Sequence, residues 1–113
     1  MIAEGSSSAR HSVVEAATDM LQGRLGLTEG CRRLAGLANE VVPDWRLDSD
    51  FVVFGGMASE TDTYPVGAAR EYWSSQALER EDEKRAKYEA TVRDSVLKAC
   101  ANVIARFSAS ARR

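Results

Sequence analysis

The chain has 113 residues, 44% of them hydrophobic, with 15 Lys and Arg against 17 Asp and Glu. That length suits one domain, able to bury about two-thirds of the surface its unfolded chain exposes without help from a disulfide or a metal. The formal charge of −2 excludes an overall pull toward nucleic acid or an anionic membrane, and no stretch approaches the roughly 20 apolar residues of a membrane span.

Charge is unevenly placed along the chain. Residues 1–43 carry four basic and five acidic groups, residues 44–62 one and five, and residues 63–113 ten and seven. The first eight residues lack the basic region and apolar core of a signal peptide, so a cytoplasmic location is expected. Cys31 and Cys100 belong to no CxxC pair and lie in stretches of helical apolar spacing, which reads as two buried free thiols in a reducing compartment.

In chain order, residues 1–7 are small and polar and are expected to be flexible, with Ser7 or Ser8 placed to cap a first helix over about 8–23. Val13, Val14, Ala17, Met20 and Leu21 form its apolar face, and the single histidine, His11, falls off that stripe. Gly23 and Gly26 end it. Thr28 and Glu29 supply a cap and a favourable acid for a second helix, whose stripe is Cys31, Leu34, Leu37, Ala38 and Val41. The short connection predicts an antiparallel hairpin, with Arg32 and Arg33 on the solvated side. Pro43 stops the second helix, and Asp44 to Asp50 reads as an acidic loop anchored to the core by Trp45 and Leu47.

Phe51 to Phe54, followed by Gly55 and Gly56, fits either a buried strand or a helix. Only Val41 and Val42 offer a partner for a strand, whereas Asp48 or Ser49 as a cap and apolar positions 51, 54, 57 and 58 favour a third helix at about 49–60. Pro65 and Gly67 then impose a loop, and Ala68 to Trp73 suits a short helical turn that puts Arg70 and Trp73 on one side. Ser74 or Ser75 caps a last helix running unbroken to Phe107, polar all round through residues 79–87 and then striped by Tyr88, Val92, Val96, Cys100, Val103, Ile104 and Phe107. Residues 108–113 are expected to be flexible. The fold class is therefore all-α, a single domain of four main helices and a possible short fifth, with a long C-terminal helix.

The least generic stretch is Ser59 to Trp73. Its run Ser59-Glu60-Thr61-Asp62, then Pro65, Gly67, Arg70 and Trp73, resembles a family of small uncharacterised bacterial proteins of unknown function. The likeness extends through Gly30 to Leu34 upstream and through Ala77, Leu78, Ala99 and Cys100 downstream. It implies a compact, cytosolic, mostly helical protein and no particular reaction; small proteins of this kind often look like immunity or accessory proteins that act by binding a partner.

The residues themselves point to no established chemistry. An EF-hand beginning at Asp48 would need Gly and Glu where Val53 and Ser59 stand, and only a looser cation site from Asp44, Asp48, Asp50, Glu60 and Asp62 remains open. Cys31 with His11 is the one conceivable thiol–imidazole pair and lacks an orienting third group. No catalytic residue, metal ligand or cofactor is assigned. Two readings of Glu60, Asp62, Tyr64, Arg70 and Trp73 stand side by side. In the first, a carboxylate pairs with Arg70 under Tyr64 and Trp73 and latches the third helix to the last; in the second, the same five residues are a binding site. The expected function is a non-enzymatic protein-binding module. Its faces would be the acidic 44–62 surface, suited to a basic nuclease-like toxin, and the charged 79–87 stretch. The alternative is a small-ligand-binding or metal-assisted enzyme using Glu60, Asp62 and Arg70, and a homodimer through the long helix is a third possibility.

Overall fold

A computed structural model describes residues 2–111, and the side-chain surroundings of residues 8–108. Four α-helices follow one another: α1 (Ile2–Leu21), α2 (Leu27–Val41), α3 (Phe51–Glu60) and α4 (Ser75–Ala111), with 3-10 turns at Trp45–Leu47 and Gly67–Tyr72. No strand occurs among the described residues, so Phe51–Phe54 is helical. The expected flexibility of 1–7 and 108–113 falls in part on Met1, Arg112 and Arg113, outside the described residues; α1 itself begins at Ile2, earlier than a cap at Ser7 or Ser8 implies.

Each junction has a local cause. Gly23 closes α1 with φ +78°, the left-handed conformation that costs glycine least. The Arg24 N–H reaches back to Asp19 O at 2.8 Å and the Gly23 N–H to Met20 O at 3.2 Å, the paired bonds of a Schellman ending. The Arg24 guanidinium then pairs with the Asp19 carboxylate at 2.7 Å. Asp48 stands before α3 and its Oδ1 accepts the Asp50 and Phe51 N–H groups at 3.0 and 3.1 Å, supplying the expected cap. Ser74 Oγ does the same for Ala77 N at the start of α4, at 3.1 Å.

The start of α2 differs from expectation. Its N-cap is Gly26, which offers no side-chain acceptor, and Thr28 lies one residue inside the helix. The acceptor comes from α4 instead: Glu89 Oε2 takes the Thr28 N–H at 3.2 Å and the Thr28 hydroxyl at 2.7 Å. A capping bond normally made within one turn is made here across 61 residues.

The core is shared by all four helices. Val13, Ala17 and Met20 of α1, Cys31 and Leu34 of α2, Phe51, Phe54 and Met57 of α3, and Val96, Cys100, Val103 and Phe107 of α4 form one buried cluster. Phe51 meets Phe54 edge-on at 5.6 Å and Phe107 at 6.2 Å. The expected stripes are the buried or partly buried ones except at Leu21, which at the last position of α1 is 43% exposed, and His11 is exposed. The acidic loop keeps only one of its two expected anchors. The Trp45 ring lies on α3 where Gly55 has no side chain, a Cβ there standing 2.5 Å from Trp45 Cζ3, whereas Leu47 is 87% exposed. The 3-10 turn is too short to turn both residues inward.

At about 1.5 Å per residue, the 37 residues of α4 span roughly 55 Å and the 20 of α1 only about 30 Å. The longest dimension of the molecule, 50 Å, is therefore set by α4. Its first three turns run past α1, and the segment between α3 and α4 folds back along them.

Candidate functional site

That segment, residues 61–74, crosses from α3 to α4 as a strap held at three points. Thr61, fully buried, donates its hydroxyl to Met57 O at 2.7 Å. Arg32 of α2 reaches over and donates from Nη2 to the Thr61 and Tyr64 carbonyl oxygens, the latter at 3.1 Å. Arg70 donates from Nη1 and Nη2 to the two carboxylate oxygens of Asp82 on α4, each at 2.7 Å, and also from Nη1 to Pro65 O at 3.4 Å. Gly67 opens the 3-10 turn with φ +58°.

The expected latch from Glu60 or Asp62 to Arg70 is not formed; Arg70 instead ties the strap to α4. Neither Glu60 nor Asp62 pairs with Arg70; both are exposed, and Asp82 occupies the guanidinium fork. The reason is geometric. The Pro65–Gly67 bend turns the strap away from the end of α3 and lays it along α4, where Asp82 lies one turn from Arg85, which adds a second contact at 3.7 Å. The bidentate bond holds the Arg70 guanidinium above its ordinary pKa and the Asp82 carboxyl below its own.

The remaining predicted residues are spread along the strap. Tyr64 is half-buried, close enough to Tyr88 to influence it: burial first, then the nearby Glu60, Cys31 and Tyr64, raise the Tyr88 phenol above its ordinary pKa. Trp73, expected to cover the ion pair, is 39% exposed. Its neighbour Tyr72, not singled out by the sequence, is 89% exposed. The sequence gives no sign of which side Tyr72 takes until the turn is built and Arg70 is committed to Asp82.

Two other polar groupings appear. At the far side of α3, Arg106 of α4 pairs with Asp48 at 2.9 Å and Asp50 at 3.0 Å, and Asn102 Nδ2 donates to Asp50 Oδ1 at 2.9 Å. Burial pushes the Asp48 carboxyl up, but the Arg106 bond, the Phe51 and Asp50 N–H groups and the Arg106 charge outweigh it and hold the group below its ordinary value. Two of the five acids of the expected acidic face are thus engaged within the chain by one arginine. An open cavity of about 270 Å³ adjoins this group, lined by Ser49, Asp50, Val53 and residues of α4. A second, of about 340 Å³, lies on α1 between His11, Glu15 and Arg24.

The two cysteines lie away from these places, in the core. Burial drives the Cys31 thiol up to about 12, helped by Cys100 and Glu89, and the Cys100 thiol to about 11, so both are protonated in the core. Cys100 Sγ rests 3.7 Å from Met20 Sδ, and His11, exposed on α1, is not among their core neighbours. Among the described residues no three His, Cys, Asp or Glu side chains converge as metal ligands; Asp48 and Asp50 face Arg106 instead. No helix among the described residues is long and apolar enough to cross a membrane.

Fold and site together define a small all-α domain whose fully packed bundle carries one pinned, aromatic-tipped surface strap. The chain belongs to the family described as "Protein of unknown function (DUF2489)", whose model matches residues 2–103. No curated protein and no solved structure matches it.

Proposed function

We propose that this protein is a non-enzymatic binding module that presents its strap to a protein partner, an immunity-type or accessory protein working in the cytoplasm. The observation that carries the reading is Tyr72, 89% exposed beside Trp73 on a turn pinned by Arg70 and Asp82. A large aromatic held in water contributes little to folding, whereas aromatic side chains dominate the energetics of protein interfaces. Pinning the turn beforehand lowers the ordering cost of association. The exposed carboxylates of Glu60 and Asp62 stand at the start of the same strap. Two free, buried cysteines agree with a reducing compartment.

The enzyme alternative would need Arg70 to aim its donors at a ligand, and both terminal nitrogens are already on Asp82. The test is a paired capture from source lysate with the wild type, Tyr72→Ser, and the double variant Glu60→Gln, Asp62→Asn. Melting temperatures of the three should agree within a few degrees, since every substituted side chain is exposed. The expected result is one specific protein retained by the wild type and lost by Tyr72→Ser. Equal recovery by all three would remove the strap as the contact surface.

A further inference from the structure

Charge around the strap is more one-sided than the chain's total suggests. Residues 59–83 contain seven acidic side chains and two basic ones. Of the basic pair, Arg70 is committed to Asp82, and Arg80 is exposed beside Glu79 and in no ion pair among the described residues. Among the acids, Asp82 is likewise committed, Glu81 pairs with Lys84 at 3.1 Å, and Glu83 pairs with Lys87 at 3.5 Å. That leaves Glu60, Asp62, Glu71 and Glu79, all exposed and in no ion pair among the described residues. Glu71 directly precedes Tyr72, and Glu79 lies one turn into α4 from the end of the strap.

We infer that the end of the strap takes a cationic polypeptide segment, whose arginine or lysine side chains lie on the rings of Tyr72 and Trp73 beside the carboxylates of Glu71 and Glu79. This rests on the binding-module reading and names the chemistry of its partner. Aromatic ring faces attract cations, and the attraction grows as the ring and the cation lose water. Carboxylates at the rim raise the encounter rate with a positive segment and penalise a negative one. An apolar partner fits poorly, because closing over Tyr72 would strip water from Glu71 without replacing it. The acids near α3 offer no equal rival, since Asp48 and Asp50 are held by Arg106.

The experiment uses a short peptide of alternating arginine and glycine as the probe, with a second peptide in which glutamine replaces each arginine. Tryptophan fluorescence reports binding, and Trp73→Phe separates the Trp73 signal from that of Trp45, which is packed on α3. The arginine peptide should bind saturably and the glutamine peptide should not. Tyr72→Ser should weaken binding at least fivefold. The pair Glu71→Gln, Glu79→Gln should weaken it and flatten its salt dependence. The matched pair Glu15→Gln, Glu40→Gln, which removes the same charge from exposed sites elsewhere, should change it less than twofold. Equal weakening by both glutamate pairs, or no effect of Tyr72→Ser, would reduce the interaction to diffuse charge and overturn the inference. If Tyr72→Ser loses its lysate partner while the arginine peptide never binds, the binding module stands and the cationic partner falls. A wild-type dimer in light scattering that Tyr72→Ser turns into a monomer would give the face to a second copy of the chain and also overturn it.

Discussion

Replacing Arg106 by Met tests the account of the Asp48, Asp50 and Arg106 group most directly. The substitution keeps a long apolar stem on Phe107, over which the guanidinium carbon lies at 5.0 Å, and removes the charge. Arg106 makes three contacts of 2.9 to 3.0 Å to the two carboxylates. Asp50 is 6% exposed, so losing its cation leaves a buried charge supported only by Asn102. Breaking a fully buried pair costs about 3–5 kcal/mol and an exposed one about 0–1. With the Arg106 side chain 39% exposed, solvent screening brings the expected loss to about 2 kcal/mol. For a domain of this size that lowers the melting temperature by roughly 8 °C near neutral pH. The pH dependence has a definite sign. The Asp48 carboxyl sits below its ordinary value of 3.8 in the fold, so its contribution is complete above that value and is lost as pH falls through the lower folded-state pKa. Arg106→Met should therefore be least different from wild type in strong acid, and its melting temperature should vary less with pH below about 4. Thermal melts followed by circular dichroism across that range decide it. A drop of under about 2 °C at neutral pH, or an unchanged acid slope, would refute the reasoning.

Glu89→Ala removes the acceptor at the start of α2 and should lower stability in urea denaturation by about 1–2 kcal/mol; Glu89→Gln, which keeps an acceptor oxygen, should lose roughly half as much. Because Cys31 and Cys100 are buried with thiols at about 12 and about 11, neither should react with a thiol reagent near pH 8 in the native protein. Both should react in concentrated guanidinium, and prompt labelling of the native protein would contradict the burial.

The helices and their buried faces were legible because apolar spacing at three and four residues reports burial directly. Val96, Cys100, Val103 and Phe107 could be read off in order, and the caps at Asp48 and Ser74 to within one residue, Ser49 and Ser75 being equally open. Contacts between elements were not legible. Arg32 looked like a solvated residue because its stripe is polar, yet its acceptors are main-chain oxygens 29 and 32 residues away. Arg70 could be read equally as half of a latch or as part of a binding site, a carboxylate partner could be chosen only by nearness in sequence, and Asp82 lies on the far side of the bend. Trp45 and Leu47 look equivalent in a string of letters; Gly55, by leaving room for one ring, decides between them. In each case the deciding fact is a distance set by packing, which pattern does not encode.

Arg32 and Arg70 grip the strap partly through the carbonyl oxygens of Thr61, Tyr64 and Pro65. Those oxygens are the same whatever side chains accompany them. The shape of the strap is therefore set by Arg32, by the Arg70–Asp82 pair and by the Pro65–Gly67 bend, while positions 62, 63, 71 and 72, all exposed, carry no part of the scaffold. Substitution there changes the exposed surface of the loop without altering how the loop is held. The strap's framework is thus separable from four exposed positions, two near its start and two near its end, that can be randomised in a library without touching the residues that hold it.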